Sequence, residues 1–111
     1  MTDLAFWTKK AEQAVVGLEE TDQQLAILKY KYECDKFNAK QEHSKLFHRL
    51  PGSSIKEREA KADIHADHLT KKRAEFTSLR EYERIKNERE SMRGAIEFWR
   101  SYQKAVNEGL L

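Results

Sequence analysis

Leu50-Pro51-Gly52-Ser53-Ser54-Ile55-Lys56-Glu57 contains the only proline among the 111 residues of the chain. Proline lacks a backbone donor and disfavours helical backbone in the residue before it, so a helix is expected to end near Leu50. Ser54 and Glu57 have the spacing of a capping box, in which the serine hydroxyl accepts from the Glu57 amide and the glutamate reaches back to the Ser54 amide. The segment therefore predicts a turn over 50–54 between two helices.

Helix-forming sequence lies on both sides of this turn. It predicts helices over about 4–49 and about 55–107, folded back on each other as a single domain spanning 1–111. With 36% charged and 39% hydrophobic residues, the composition suits solvated helices better than a broad globular core. The expected fold class is all-α, a long antiparallel helical hairpin that forms a coiled coil. Because such a hairpin has little core for its surface, self-association is also expected.

The first helix carries a heptad seam, in which core residues recur at alternating steps of three and four. Two of the eleven positions are polar, at Thr21 and Asp35, and the polar run after Gly17 leaves a break in this helix open. The predicted seam comprises Leu4, Trp7, Ala11, Ala14, Leu18, Thr21, Leu25, Leu28, Tyr32, Asp35 and Ala39.

The second helix contains two apolar series with a period of seven. They are Ile55, Ala62, Leu69 and Phe76, and then Ile85, Met92, Trp99 and Val106. Nine residues separate Phe76 from Ile85, so either the apolar stripe shifts around the helix there or the helix breaks. Folding at the turn pairs Trp7 with Trp99 and Leu28 with Phe76. Gly109 is the expected stop of this helix.

Basic and aromatic side chains alternate in the helix before the turn. The segment starts with Lys29-Tyr30-Lys31-Tyr32 and continues with Lys36-Phe37 and Lys40. Lysines neutralise phosphates and aromatic rings stack on unpaired bases, so this pattern fits a single-stranded nucleic acid. The alternative is structural: Tyr32 belongs to the seam, Tyr30 and Phe37 flank it in the core, and the lysines are merely solvated.

Positive charge is concentrated around the predicted turn. Residues 29–58 carry eight basic and four acidic side chains, net +4, whereas residues 1–28 are net −3 and residues 59–111 are net +1. Beyond the turn, Lys56, Arg58 and Lys61 extend the basic zone, and residues 71–73 add Lys-Lys-Arg. The later arginines alternate with glutamates and are expected to form ion pairs on a solvated face or between helices.

Several functional classes lack their motifs in this sequence. It contains no phosphate-binding loop, nucleophile elbow or recognisable carboxylate pair, so no catalytic residue and no cofactor is expected. Four histidines near the turn match no standard metal signature, and no metal site is predicted. The sole cysteine, Cys34, suits a reducing cytoplasm, and neither a signal peptide nor an apolar run of membrane-spanning length is seen.

The order of these features carries a family resemblance. A Lys/Tyr/Phe-rich helix leads into Leu50-Pro51-Gly52, followed by Ser-Ile-Lys-Glu-Arg-Glu-Ala-Lys-Ala-Asp at 54–63, Glu-Tyr-Glu-Arg-Ile-Lys-Asn at 81–87 and Ala-Ile-Glu-Phe-Trp-Arg-Ser at 95–101. Over residues 20–105 this pattern resembles small tailed-phage proteins of the UvsY-type recombination mediator family. Members of that family bind single-stranded DNA, oligomerise, and help to load a recombinase onto strands coated by a single-strand-binding protein.

The resemblance implies a non-enzymatic accessory protein of phage DNA recombination or replication, acting in the host cytoplasm. Its partners would be single-stranded nucleic acid, further copies of itself, and a recombinase or single-strand-binding protein, with no membrane involved. The main alternative is a structural or adaptor hairpin that binds another protein.

The resemblance also implies where the two functional surfaces lie. It places nucleic-acid contacts on the helix before the turn, at Lys29, Lys31, Lys36, Lys40, Lys45 and Arg49. The basic-aromatic pattern adds Tyr30, Phe37, Lys56 and Arg58 to that expected surface. Oligomer packing is expected on the last helix, at Met92, Ile96, Trp99 and Tyr102.

Overall fold

Helices lie on both sides of Pro51 in the computed structural model, which describes residues 3–110. These residues contain three α-helices and no strand: α1 (Asp3–Arg49), α2 (Ile55–Ile64) and α3 (Ala66–Asn107). The all-helical class predicted from the sequence is confirmed. No helix of the described residues is long and apolar enough to cross a membrane.

The second predicted helix is divided, and the division is at His65. The expectation of one helix over 55–107 is therefore wrong, although α3 runs unbroken from 76 to 85 and α1 runs unbroken through Gly17. His65 has extended backbone (φ −66°, ψ 138°), and its carbonyl accepts from the Leu69 amide at 3.0 Å. Its Nδ1 accepts from the Asp67 amide at 3.1 Å. Because histidine is not among the preferred N-cap residues, no sequence signal marks this break.

The turn before α2 is held by side chains of its own segment. Ser54 Oγ accepts from the Glu57 amide at 3.1 Å, as the capping box predicts. The return contact differs, because Glu57 Oε2 accepts from the amide and hydroxyl of Ser53, at 3.0 and 2.8 Å, and not from the Ser54 amide. Glycine at position 52 leaves room for Arg58, whose Cγ would lie 2.5 Å from a Cβ there.

The end of α3 is a Schellman motif at Gly109, the predicted stop. Gly109 has φ +74°, a region that costs other residues strain. Its amide donates to the Val106 carbonyl at 3.1 Å, and the Leu110 amide donates to the Ala105 carbonyl at 2.9 Å. These two bonds satisfy carbonyls that the helix end leaves without partners.

All eleven positions of the predicted α1 seam are buried or half-buried, so this part of the sequence analysis is confirmed. The contacts of the chain fall into two units, one formed by the described residues up to 26 with those from 83 onward, and the other by residues 27–82.

Aromatic packing dominates one end of the unit formed by residues 3–26 and 83–110. The rings of Trp7 and Phe98 lie 4.4 Å apart between centroids, and Trp99 Nε1 donates to Thr8 Oγ1 at 3.0 Å. Trp7 thus packs on Phe98, the residue before Trp99, which was its predicted partner.

A buried arginine occupies the seam of the same unit. Arg89 is only 5% exposed, and its Nη1 donates to the Leu18 carbonyl at 2.7 Å and to Thr21 Oγ1 at 2.8 Å. Its Nη2 reaches Asp22 Oδ1 at 3.2 Å. Thr21, a polar position of the α1 seam, therefore accepts a hydrogen bond from the facing helix. Of the two roles expected for the later arginines, Arg89 has the interhelical one, because it pairs with Asp22 of α1.

Polar side chains occupy the α3 seam of the unit formed by residues 27–82. Glu75 and Ser78 are buried, and Lys72 Nζ lies 3.3 Å from Glu75 Oε1. The Ser78 hydroxyl donates to Asp35, the second polar position of the α1 seam. Apolar burial in this unit is confined to small or isolated side chains, with Ala39, Leu46 and Ala62 fully enclosed.

The predicted apolar series at the start of the second helix is wrong. Only Ala62 of that series is buried, whereas Ile55, Leu69 and Phe76 are 67%, 40% and 57% exposed. Buried or half-buried positions of α3 here include Glu75, Ser78, Tyr82 and Ile85, which are three or four residues apart. The buried face of α3 therefore continues without the predicted shift between 76 and 85. Tyr82 stacks on Tyr32 with ring centroids 6.2 Å apart, and the predicted pairing of Leu28 with Phe76 is wrong as well.

The buried guanidinium of Arg89 generates a stability prediction. Arg89→Ala should lower the free energy of unfolding by about 2–4 kcal/mol, because it removes the hydrogen bonds to the Leu18 carbonyl and Thr21 hydroxyl and opens a cavity. The matched control is Arg84→Ala, which removes an exposed guanidinium paired with Glu88 on the same helix at 3.0 Å. That change should cost less than about 0.5 kcal/mol. Urea unfolding followed by circular dichroism measures both, and equal effects would contradict the assigned role of Arg89.

The Glu57 contacts generate a pH prediction. Hydrogen bonds from the Ser53 hydroxyl and amide, and then the Lys61 ammonium, lower the pKa of Glu57 from 4.5 to about 2. A pKa lowered by folding stabilises the folded state above the unfolded value, so this contribution is complete above pH 4.5 and lost towards pH 2. Glu57→Gln should flatten the fall in thermal unfolding midpoint over that range. Glu59→Gln on the same helix is the control, and identical profiles for the two variants would refute the prediction.

Candidate nucleic-acid interface

Positive charge is concentrated in the unit formed by residues 27–82. These residues carry thirteen basic and nine acidic side chains, net +4, whereas the rest of the chain is net −2. The unit contains the end of α1, the turn, α2 and the beginning of α3. A local excess of this sign attracts a polyanion even though the whole chain is close to neutral.

The two rings singled out from the sequence face solvent. Tyr30 is 73% exposed and Phe37 is 59% exposed, and seven residues separate them on α1. The structural alternative required both rings to flank the core, and their exposure rules out that role. Exposed lysines accompany them along the same helix, at Lys29, Lys31, Lys40 and Lys45.

A shallow groove on α1 brings charge and ring together. It has a volume of about 180 Å³ and is lined by Glu33, Lys36, Phe37 and Lys40. Lys36 Nζ lies 5.9 Å from the ring centre of Tyr32, within the range of a cation–π contact. The groove therefore combines two lysine side chains with the exposed Phe37 ring.

Tyr30 belongs to an outward-facing apolar stripe. Ile27, Tyr30, Cys34 and Phe37 follow one another at steps of three, four and three, and Ile27 is also exposed. A hydrogen bond with Cys34 raises the pKa of Tyr30 above its ordinary value of 10.0. Like any tyrosine, it is uncharged at neutral pH, so it can offer a ring face to a base without repelling a phosphate.

The predicted residues nearest the turn have different surroundings. Lys56 is exposed, and Arg49 Nη2 lies 3.9 Å from Asp67 Oδ2. Arg58 is engaged in the turn itself, where its guanidinium carbon lies 5.1 Å from the Phe47 ring centre and its Nη2 donates to the His48 carbonyl at 3.4 Å. Of these three residues, Lys56 has its charge most available to a ligand.

One exposed aromatic residue of this unit was assigned to the core by the sequence analysis. Phe76 is 57% exposed, and Lys72 Nζ lies 5.7 Å from its ring centre. It therefore repeats on α3 the combination of lysine and ring that α1 presents. The signal that could have found it is the i, i+4 spacing of Lys72 and Phe76, which places the two side chains together on a helix surface.

The four residues predicted to pack an oligomer are half-buried. Trp99 donates to Thr8, and Tyr102 stacks on Phe98 with centroids 6.1 Å apart. Met92 lies against Gly17, where a Cβ would come within 2.7 Å of the methionine Cε, and Ile96 lines a cavity on the same unit. Each of the four therefore makes contacts within its own chain. More exposed apolar side chains of that unit are Phe6, Val15, Val16 and Phe98.

The histidines near the turn form contacts with acidic side chains and with each other. His43 Nε2 lies 2.7 Å from Asp63 Oδ1, and the rings of His43 and His68 meet edge to face with centroids 4.9 Å apart. Within residues 3–110, no group of three histidine, cysteine or acidic side chains has an arrangement that could hold a metal ion.

Comparison of the chain with protein-family models, curated proteins and solved structures gives no match. In the structure, the chemistry and exposure of the side chains support the assignment of this surface. Its distinguishing features are the net charge of residues 27–82 and the exposed rings of Tyr30 and Phe37.

The exposure of these rings generates a prediction that separates ligand surface from core. Tyr30→Ala and Phe37→Ala should each change the free energy of unfolding by less than about 0.5 kcal/mol, because neither ring is packed. Tyr32→Ala is the matched control, since Tyr32 is half-buried and stacked on Tyr82, and it should cost about 1–3 kcal/mol. Thermal or urea unfolding measures all three. A large loss for Phe37→Ala would show that this ring supports the fold.

Proposed function

We propose that this chain is a non-enzymatic, single-stranded-DNA-binding accessory protein of phage recombination or replication. The observation that carries the proposal is the exposure of Tyr30 and Phe37 beside lysines of a unit with net charge +4. The resemblance to UvsY-type recombination mediators supports the same function. An exposed ring keeps its apolar surface in water, and a base that stacks on it would remove that surface from water, which is favourable.

Binding would combine charge neutralisation with stacking. Lysines on α1 contact the phosphates and release counterions, which makes affinity fall steeply with salt. Bases of an unpaired strand stack on Tyr30 and Phe37, each stacked base contributing about 1–3 kcal/mol. Neither interaction reads base edges, so sequence preference should be weak. In a duplex the base faces are stacked on each other, so a duplex would bind only through its phosphates.

The architecture we propose for this function is a long antiparallel coiled-coil hairpin. Its support is the order of the contacting residues within each unit: as the residue number rises along α1, the number of the contacting residue on α3 falls, as in an antiparallel pair. The pairs are Trp7–Phe98 and Leu18–Arg89 in one unit, and Tyr32–Tyr82 and Asp35–Ser78 in the other. A single domain spanning the chain remains part of this proposal.

Self-association is the second part of the architecture. The exposed side chains of Phe6, Val15, Val16 and Phe98 leave apolar surface uncovered around Met92, Ile96, Trp99 and Tyr102. A second copy that covers this surface would bring several strand-binding units together and raise avidity without any new DNA contact. Sedimentation of one monomeric species at all concentrations would remove this part of the proposal.

Location and protein partners follow from the resemblance alone. The protein would act in the host cytoplasm, where single strands form during phage DNA replication and recombination. A recombinase or a single-strand-binding protein is the partner that shares the strand with it.

The second candidate is a structural or adaptor hairpin. The exposed apolar residues at Val15 and Val16 favour it, because a partner helix could pack on them without any nucleic acid. Salt distinguishes the two functions, since helix packing depends weakly on ionic strength and phosphate binding depends strongly on it.

Fluorescence anisotropy with labelled single- and double-stranded oligonucleotides over a salt series tests the leading proposal. The unmodified protein should bind the single strand more tightly. The double variant Lys29→Gln/Lys36→Gln should weaken binding to all sequences and flatten the logarithmic salt slope by about 1.4, the value for two phosphate contacts on a single strand.

The matched control carries the same change of charge in the other unit, as Lys9→Gln/Lys10→Gln. Both of these lysines are exposed, and they should contribute little beyond their general field. Equal losses in the two double variants would show that net charge, and not the α1 surface of residues 27–82, governs binding. Absence of binding to any oligonucleotide at low salt would favour the adaptor function.

A further inference from the structure

A cavity near the break between α2 and α3 gathers four nitrogen-bearing side chains. It has a volume of about 270 Å³ and is lined by Lys40 and His43 of α1, Asp63 of α2, and His68 and Lys72 of α3. At about 30 Å³ per water molecule, it has room for an ion with four oxygens. The break at His65 divides the chain between the helices that supply Asp63 and His68.

The hydrogen bonding around this cavity is incomplete. His68 is 7% exposed, and its Nδ1 is buried without a hydrogen-bond partner among the described residues. Such a group normally costs stability, and the rest of the His68 side chain lines the cavity. The facing imidazole of His43 is held at Nε2 by Asp63 at 2.7 Å. When protonated, His43 keeps a second N–H for another acceptor.

We propose that this cavity binds a tetrahedral oxyanion of the phosphate type. Lys40 and Lys72 supply fixed positive charge, and the two imidazoles supply N–H donors. Within the described residues, Lys40 has no carboxylate within ion-pair distance, so its charge is available. The anion is either a free phosphate or a phosphodiester of a bound strand, which share this chemistry.

The acidic neighbours determine how binding depends on pH. Asp63 faces His43, and Glu75 pairs with Lys72 at 3.3 Å, so two carboxylates balance the two lysines while both imidazoles are neutral. Protonation of His43 and His68 gives the group a net charge of +2. Two protonated imidazoles with ring centroids 4.9 Å apart repel each other unless an anion lies between them. Anion binding and imidazole protonation therefore favour each other, and affinity rises as pH falls.

Nuclear magnetic resonance of the histidine Hε1 protons during sulfate titration tests the site. Sulfate keeps its charge throughout the range in which imidazoles titrate, and chloride at equal ionic strength is the control anion. The His43 and His68 signals should shift saturably, whereas the exposed His48, outside the cavity, should not. Uniform shifts of all four histidines, or a response to Zn²⁺ but none to sulfate, would overturn the proposal.

A pair of exposed lysines on α1 provides the matched variants. Lys40→Gln should weaken sulfate binding by about tenfold, the loss of one charge-assisted hydrogen bond. Lys9→Gln removes the same charge outside the cavity and should leave the affinity within about twofold, because surface charges interact weakly through water. Both positions are exposed, so both variants should keep the helicity of the unmodified protein. Equal affinities for Lys40→Gln and the unmodified protein would refute the site.

A single-stranded oligonucleotide in place of sulfate distinguishes the sources of the anion. Shifts of His43 and His68 with the oligonucleotide would identify the strand phosphodiester as ligand, and shifts with sulfate alone would identify a free anion. The inference does not rest on the proposed function. If the protein binds sulfate but no oligonucleotide, the anion site stands and the DNA-binding proposal is refuted. If it binds an oligonucleotide but the His43 and His68 signals respond to neither ligand, only the anion site is refuted.

Discussion

Polar side chains at buried seam positions need hydrogen-bond partners, because a buried polar group without a partner costs more than most packing contacts return. Arg89 meets this condition at Nη1 through the Leu18 carbonyl and Thr21, although its Nε is buried without a partner among the described residues. Ser78 meets it through Asp35. A seam of leucines could slide by a heptad at small cost. These two polar layers remain satisfied in only one register, so they specify the alignment of the helices in each unit at some expense of stability.

The same constraint explains which parts of the fold could be predicted. The α1 seam is largely apolar, and all eleven positions predicted from its periodicity are buried or half-buried, although the predicted seam stopped at Ala39 and missed the fully buried Leu46. On α3, Glu75 and Ser78 are buried while Phe76 is exposed, so a pattern built from apolar residues chose the wrong face. Local side-chain chemistry predicted the Ser54 cap and the Gly109 stop. The break at His65 depends on one imidazole nitrogen accepting one amide, which no residue preference announces.

The sequence was sufficient to locate the candidate surface, but not to predict which of its side chains are exposed and which contact other residues. Alternation of lysine with aromatic residues located the α1 segment, and the structure leaves Tyr30 and Phe37 exposed there. The sequence could not distinguish Lys56, which is exposed, from Arg58, which packs on Phe47. The contact between His43 and His68 could not be predicted from the sequence either, because it depends on the register between α1 and α3 in this unit.

The shortness of α2 has a consequence for how the chain opens. Isolated helices shorter than about 12–15 residues are marginal in water, and α2 has ten residues with Ala62 as its buried side chain. Its backbone hydrogen bonds end at the turn on one side and at His65 on the other, so they gain no cooperative support from α1 or α3. Local opening should therefore cost least here, and the amide hydrogens of α2 should exchange with solvent before those of the long helices. Each such opening releases Asp63 from His43 and frees the imidazole without unfolding the rest of the chain.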